Sequence, residues 1–155
     1  MSFRIQGLSP APFVALYGLA EDDLAARGAI RYVVDKAPGF PDRVELLDAA
    51  PGETVLLINH VSQPAETPYR ASHAIFVREG ATRAFDEIGV VPPAFRPRLL
   101  SLRAFDERGM MIDADVVEGE DVEGLIARLL EDARVERIHA HYAKHGCYAG
   151  LITRA

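Results

Sequence analysis

Leu99 to Val117, Leu-Leu-Ser-Leu-Arg-Ala-Phe-Asp-Glu-Arg-Gly-Met-Met-Ile-Asp-Ala-Asp-Val-Val, is the stretch that decides the fold of this chain. Its apolar and β-branched residues predict two strands, 99–105 and 110–117, and Asp106-Glu107-Arg108-Gly109 predicts the turn between them. Gly109 can take the positive φ that such a turn requires. Because a connection this short joins antiparallel neighbours, the stretch predicts an antiparallel sheet.

The residues that follow this hairpin predict a helix and a second hairpin. Asp121 can cap a helix over 121–132, and the apolar residues at helical spacing that form one buried face are Val122, Leu125, Ile126, Leu129 and Leu130. Val135 to Ala143 and Cys147 to Thr153 then predict a C-terminal β-hairpin.

The residues before the first hairpin predict further short strands. A helix with Glu21 in its first turn is expected to close at Arg27 and Gly28, and residues 62–72 are expected to form a loop of about ten residues. The strands expected upstream are Phe3–Gln6, Ile30–Asp35, Arg43–Leu47, Thr54–His60 and His73–Arg78. Together these elements predict an α+β fold in one domain over 1–155, with a single curled, mainly antiparallel sheet of about nine strands and a few short helices.

Composition and charge narrow the class of partner. The 155 residues carry a formal net charge of -6 and have a pI near 5.3, so neither nucleic acid nor an anionic membrane is an expected partner. One cysteine excludes an intramolecular disulfide, and the N-terminus lacks an apolar signal core. These features favour the cytoplasm.

The candidate site lies in residues 139–148, His-Ala-His-Tyr-Ala-Lys-His-Gly-Cys-Tyr, which hold three of the five histidines and the only cysteine. In a strand, His139 and His141 project from the same face, about 7 Å apart. A connection of two or four residues would place Tyr148 and Gly150 on that face, and one of three or five residues would place Cys147 there. The sequence leaves both alternatives open.

Three roles are open to these residues: catalysis, metal binding and packing in the core. Cys147 beside an imidazolium would be a nucleophilic thiolate, so we identify His139, His141 and Cys147 as the candidate catalytic residues. A metal would need a further ligand from Asp113, Asp115, His60 or His73, but paired Cys-x-x-Cys spacings are absent and we predict no metal site. In the third alternative the histidines and the thiol only pack in the core.

A second group of residues predicts the binding of a small anionic molecule. Arg70 could hold a carboxylate or phosphate with two parallel hydrogen bonds, and His73 could donate or take a proton. Arg103 could add positive charge or instead pair with an aspartate across its hairpin. The candidate ligand-binding residues are Arg43, Tyr69, Arg70, His73 and Tyr148.

Several motifs together resemble a known family. They are Pro38-Gly39-Phe40-Pro41, Pro51-Gly52-Glu53, Pro68-Tyr69-Arg70-Ala71-Ser72, Leu102-Arg103-Ala104-Phe105-Asp106, Gly109-Met110-Met111, Ile138-His139-Ala140-His141 and Gly146-Cys147-Tyr148-Ala149. On these motifs the whole chain resembles the bacterial proteins grouped as domain of unknown function 1203. The family often has a cysteine after the Pro-Gly-aromatic-Pro turn, where this chain has Asp42, so the resemblance implies no mechanism with two thiols and no particular reaction.

Two hypotheses of different class follow. In the first, the protein is an enzyme that uses Cys147 or the His139 and His141 pair, with Arg70 or Arg43 anchoring an anionic substrate. In the second, it is a non-catalytic module whose histidines face a small anion, a metal or another copy of the chain in a homo-oligomer. The sequence identifies no cofactor, because it lacks a glycine-rich phosphate loop and a Gly-x-Gly-x-x-Gly motif.

Overall fold

Nine strands form two separate antiparallel sheets in a computed structural model that describes residues 2–155. The elements in chain order are β1 (Phe3–Gln6), a 3-10 helix (Val14–Leu16), α1 (Glu21–Ala26), β2 (Ile30–Val33), β3 (Thr54–Gln63), β4 (Ala71–Arg78), β5 (Asp86–Ile88), β6 (Leu99–Phe105), β7 (Met111–Glu118), a 3-10 helix (Gly119–Asp121), α2 (Val122–Leu130), β8 (Arg137–Tyr142) and β9 (Tyr148–Arg154).

The larger sheet contains six strands in the order β5-β1-β9-β8-β6-β7, and the smaller contains three in the order β2-β3-β4. The mainly antiparallel α+β class is therefore confirmed, and so is the C-terminal hairpin of β8 and β9. The single sheet is wrong. The smaller sheet stays separate because only an isolated pairing of Asp42 with Phe76 lies beside β4, and no strand extends from it.

The prediction of a strand over Arg43–Leu47 is wrong. Because no strand forms there, no strand lies beside β4 to join the smaller sheet to the larger one. Leu46 has a φ of 54°, a left-handed conformation that interrupts an extended chain. Its side chain is fully buried in the main core, so burial holds the residue in that conformation. Residues 41–48 therefore form turns with two isolated pairings, one between Pro41 and Asp48 and one between Asp42 and Phe76.

The main core lies between the larger sheet and α2. The five apolar residues predicted for the buried face of this helix are all buried. They pack against residues from alternate positions of β6 and β8, among them Leu100, Leu102, Ile138 and Ala140. Asp121 occupies the position before the helix as predicted, but its side chain makes no capping hydrogen bond, because a 3-10 turn leads directly into α2.

The inner face of the smaller sheet changes from apolar to polar along its strands. Ile58 and Ile75 are directly opposite each other and pack with Phe13 from the N-terminal segment. Two residues along each strand, His60 and His73 are opposite each other in the same way. Because alternate residues share a face, both histidines point to the side that bears the apolar residues.

The connection between β3 and β4 is shorter than expected. β3 extends to Gln63 and β4 begins at Ala71, with a register shift between Val61 and Gln63. Only residues 64–70 remain as a loop, instead of the predicted 62–72. Across residues 2–155, no helix is long and apolar enough to cross a membrane.

Alanine substitutions at two glycines near the start of α2 should change the free energy of unfolding in opposite directions, and they test this packing. A Cβ on Gly119 would lie 1.9 Å from the carbonyl oxygen of Phe95, whereas a Cβ on Gly124, in the exposed part of α2, would meet nothing within 4 Å. We expect Gly119→Ala to lower the free energy of unfolding by about 1–3 kcal/mol. We expect Gly124→Ala to raise it by about 0.5–1 kcal/mol, since alanine is the better helix former. Urea denaturation measures both, and equal changes of one sign would contradict this packing.

Candidate functional site

His139 and His141 lie on the same face of β8, the face turned away from α2. They are 5% and 2% exposed, respectively. The ring of Phe105 lies 4.8 Å from that of His139, measured between ring centroids. The alternation of β8 therefore places Ile138 and Ala140 in the main core and both imidazoles on the opposite side.

Tyr148 joins the histidines on this face. The Gly146 amide donates to the Tyr142 carbonyl at 2.7 Å and the Tyr142 amide donates to the Cys147 carbonyl at 3.0 Å. Tyr142 thus pairs with Cys147 just before β9, and the turn that this pair closes has four residues, 143–146. This is one of the connection lengths that place Tyr148 beside the imidazoles. Its ring centroid is 5.3 Å from that of His139 and 5.9 Å from that of His141.

The remaining positions of the last hairpin depart from the simple alternation. The register shifts between Ala140 and His141, because Ala149 is an extra residue in β9, and Gly150 consequently pairs with Ala140 on the side of the main core. Gly150 is thus not on the histidine face. Cys147, which precedes Tyr148, is not brought to that face either, and its predicted catalytic role stays a prediction.

Two further histidines arrive from the smaller sheet. The His73 ring centroid lies 4.9 Å from that of His141, and the His60 ring centroid lies 5.7 Å from that of Tyr148. We call these five side chains, from β3, β4, β8 and β9, the histidine cluster: His60, His73, His139, His141 and Tyr148. The cluster contains four of the five histidines and lies between the two sheets.

Burial keeps the two β8 imidazoles neutral at pH 7. Removal from water disfavours the charged ring, and together with nearby arginines and histidines it lowers the pKa of His139 to about 4. Burial likewise lowers the pKa of His141 to about 3, against a smaller opposing effect of its hydrogen bond to Gly146. Burial is also the main cause that lowers the pKa values of His60 and His73.

Hydrogen bonds determine which nitrogen carries the proton in His141. Its Nδ1 lies 2.9 Å from the carbonyl oxygen of Gly146, which can only accept, so Nδ1 is protonated and Nε2 holds the lone pair. The Nδ1 of His73 lies 3.2 Å from the Ser62 hydroxyl. The Nδ1 of His139 is buried and has no hydrogen-bond partner among residues 2–155.

Arg103 supplies the positive charge of the site. It lies directly opposite His139 in the β6–β8 pairing, and its Nε donates to the Ser101 hydroxyl at 3.4 Å. Burial lowers the pKa of Arg103, and no charged group offsets this effect. The two aspartates considered as its partners face α2 instead, where Arg128 contacts Asp113 at 3.0 Å and Asp115 at 3.3 Å.

Arg43 lies behind the cluster and not in it. Arg43 is 2% exposed, and its Nε donates to the carbonyl of Tyr148 at 2.8 Å while its Nη1 donates to that of Pro41 at 2.6 Å. It also stacks on the Tyr142 ring at 4.9 Å. Arg43 therefore connects the turn at 41–48 to the last hairpin, and burial lowers its pKa.

The loop between β3 and β4 contributes one residue to the border of the site. The Tyr69 ring centroid lies 6.5 Å from that of Phe105, which contacts His139. Arg70 is exposed and donates to the Pro64 carbonyl within its own loop, so it is not brought to the cluster.

The sequence patterns offered His60 only as a further metal ligand and Arg103 only as an added charge or an ion-pair partner, and they gave no role to Ser62. A usable signal was present for His60, because it continues the inward alternation of Leu56 and Ile58 along β3. For Arg103 the signal was its position two residues from Ser101 in the middle of a predicted strand. Within residues 2–155, no three His, Cys, Asp or Glu side chains are grouped so that they could hold a metal ion.

Fold and site together define a mainly β protein of the α+β class, with two antiparallel sheets that enclose a histidine cluster. The chain belongs to the family described as protein of unknown function (DUF1203), whose model matches residues 39–154. The resemblance seen in the motifs is thereby confirmed. A search of curated proteins and a search of solved structures each found no match.

Neutral buried histidines predict a dependence of stability on pH. Below an ordinary histidine pKa of 6.5 the unfolded chain binds protons that the folded chain does not, because folding lowers the pKa of His139 to about 4 and that of His141 to about 3. Stability therefore falls as the pH falls below 6.5. Between pH 7.5 and pH 5 we expect each of these histidines to account for a loss of about 2 kcal/mol in the free energy of unfolding.

Urea denaturation at a series of pH values measures this loss in wild type and in His139→Gln, which should lose about 2 kcal/mol less over the same range. The matched control is Tyr148→Phe. Burial raises the pKa of this phenol, so it stays neutral throughout the range and the control should follow the wild-type pH dependence. An identical pH dependence in His139→Gln and wild type would contradict the assignment.

Proposed function

We propose that the protein binds a small anion at the histidine cluster, with Arg103 as the residue that neutralises its charge. The observation that carries the proposal is the uncompensated guanidinium. Burial lowers the pKa of Arg103, and no carboxylate of the described chain acts on it. A half-buried cation without a counter-ion costs free energy, and a bound anion would offset that cost.

The charge distribution of the chain supports this proposal. The net charge is -6, yet the charges that shift the pKa values of His60, His73 and His141 come only from Arg103 and other histidines. For His139 they come from arginines and histidines as well. An acidic protein thus keeps positive charge beside the histidine cluster, and local positive charge attracts anions.

The donors at the cluster match the needs of an oxyanion. The Nε of Arg103 points to Ser101, which leaves the two terminal nitrogens as a fork for two parallel hydrogen bonds. His139 adds a buried ring nitrogen that has no partner within residues 2–155. Ser62 adds a hydroxyl beside His73. A carboxylate or a phosphate group accepts from donors of all three kinds.

The pKa values of the buried histidines favour anion binding over proton-transfer catalysis as the function of the cluster. A general base works best when its pKa lies near the working pH. The pKa of His141 is about 3 and that of His139 about 4, so both are weak bases at pH 7. The catalytic use of Cys147 gains no support from geometry, because the thiol is not placed beside the imidazoles.

The test is calorimetric titration with inorganic phosphate and with acetate at low ionic strength, in wild type and in Arg103→Gln. We expect a loss of affinity of at least about tenfold in the variant, since a charge-assisted hydrogen bond contributes roughly 1.5–3 kcal/mol. Arg103→Lys should retain part of the affinity, because it keeps the charge and loses the planar fork.

The matched control removes one exposed arginine elsewhere. Arg83→Gln changes the net charge by the same amount and should bind as wild type does. Two outcomes would contradict the proposal: wild type that binds neither anion, or an Arg103→Gln variant with unchanged affinity.

A further inference from the structure

The strand β2 forms an open edge of the smaller sheet, because it pairs with β3 on one side only. The amide of Val34 donates to the carbonyl of Glu53, so the residues that alternate with Val34 turn their backbone groups away from β3. The N–H and C=O groups of Arg31 and Val33 therefore point outward. None of these four groups has a hydrogen-bond partner within residues 2–155.

The other three edges of the two sheets are protected against pairing with a further strand. On β7, the amides of Ala114 and Val116 donate to the carboxylates of Asp113 and Asp115 at 2.8 Å each. β5 has three residues, two of which are acidic, and β4 is partly covered by the turn at 41–48. Proteins commonly protect their sheet edges in these ways. Of the edges in the described part of the chain, only β2 lacks such protection.

The side chains of β2 add to this difference. Ile30, Tyr32 and Val33 are apolar or aromatic and are 52%, 41% and 66% exposed, respectively. Arg31 is the one charged residue of the strand, and its guanidinium donates to Glu79 of the same chain at 2.5 Å. An exposed apolar edge with free backbone groups is a template for a strand of another chain. The edge is therefore suited to an additional strand.

The free groups of β2 are complementary to those of a second β2. Two residues that are directly opposite in an antiparallel pair can exchange both of their backbone hydrogen bonds. If Arg31 of each copy lies opposite Val33 of the other, four hydrogen bonds satisfy all the outward groups of both strands. This register also places Arg31 opposite an uncharged residue and not opposite its own copy, where like charges would repel.

We propose that two copies of this chain associate through β2, antiparallel about a twofold axis at Tyr32, so that the two three-stranded sheets become one sheet of six strands. An interface of this kind uses the same surface of both copies and is closed. The two Tyr32 side chains lie opposite each other as an aromatic pair, and each already packs against Phe76 of its own chain at 6.0 Å between ring centroids.

This dimer does not rest on the proposed function, because β2 contributes no side chain to the histidine cluster. Four residues of edge strand bury less surface than a standard interface with about 20–30 residues a side. We therefore expect a reversible dimer that dissociates on dilution.

The first measurement is sedimentation velocity from about 5 μM to about 1 mM protein, which gives the dissociation constant of the dimer. Val33→Pro removes one outward N–H from each copy, and proline is tolerated where the N–H of an edge strand faces solvent. We expect the dissociation constant to rise at least about tenfold, because two hydrogen bonds are lost. The matched control is Val116→Pro, at an exposed valine of β7 whose outward N–H donates to Asp115, and it should associate as wild type does.

The second measurement tests the register without a change to the backbone. Tyr32→Lys and Tyr32→Glu each place like charges opposite each other at the twofold axis, so each variant alone should dimerise more weakly than wild type. An equimolar mixture of the two variants places opposite charges there. We expect the mixed dimer to form about tenfold more tightly than either variant with itself at low ionic strength.

Three outcomes would overturn the proposal. The first is wild type that stays monomeric at every concentration up to about 1 mM. The second is a dimer that Val33→Pro leaves unchanged or that Val116→Pro weakens as much, since β2 would then not be its interface. The third is a mixture of the Tyr32 variants that associates no better than either one alone, which would exclude the pairing about Tyr32.

Discussion

The structure depends on the burial of both faces of β8. Five consecutive residues of this strand, 138–142, are buried, although it belongs to a sheet with a helix on only one side. Ile138 and Ala140 lie under α2, and His139 and His141 lie under the smaller sheet. A strand covered on two sides needs a second layer, and the smaller sheet supplies it. The histidines are thus part of the packing between layers and also the chemistry-bearing residues of the cluster.

Burial and charge act together at this junction. Removal from water keeps the imidazoles neutral, which leaves the guanidinium of Arg103 as the charged group beside them, although burial lowers its pKa too. Had a carboxylate been placed beside Arg103, the positive charge of the guanidinium would have been neutralised within the protein. The aspartates of the neighbouring strand, Asp113 and Asp115, instead face α2 and contact Arg128. The side of the sheet on which a residue falls therefore decides whether its charge is available to a ligand.

The elements with strong local patterns could be predicted from the sequence. The β6–β7 hairpin with Gly109 at positive φ, α2 with its apolar face and the last hairpin all follow from periodicity and turn residues. The division into two sheets could not be predicted, because it follows from Leu46, a residue of ordinary strand preference that tertiary burial holds in a left-handed conformation. Only part of the five-residue cluster was predictable, because strand alternation acts within one strand. Alternation places His139 beside His141, but only the meeting of two sheets brings His60 and His73 to them.

The turn at 143–146 has a consequence for how this family can diverge. Four residues in that turn present a phenol, Tyr148, to the imidazoles and leave the neighbouring thiol on the reverse side. In a relative whose turn is one residue shorter, the residues of β9 would change faces, and the thiol would lie beside the imidazoles in place of the phenol. A deletion of one residue at the protein surface could thus replace a phenol by a nucleophilic thiol beside the histidines, without a change in the main core beneath α2.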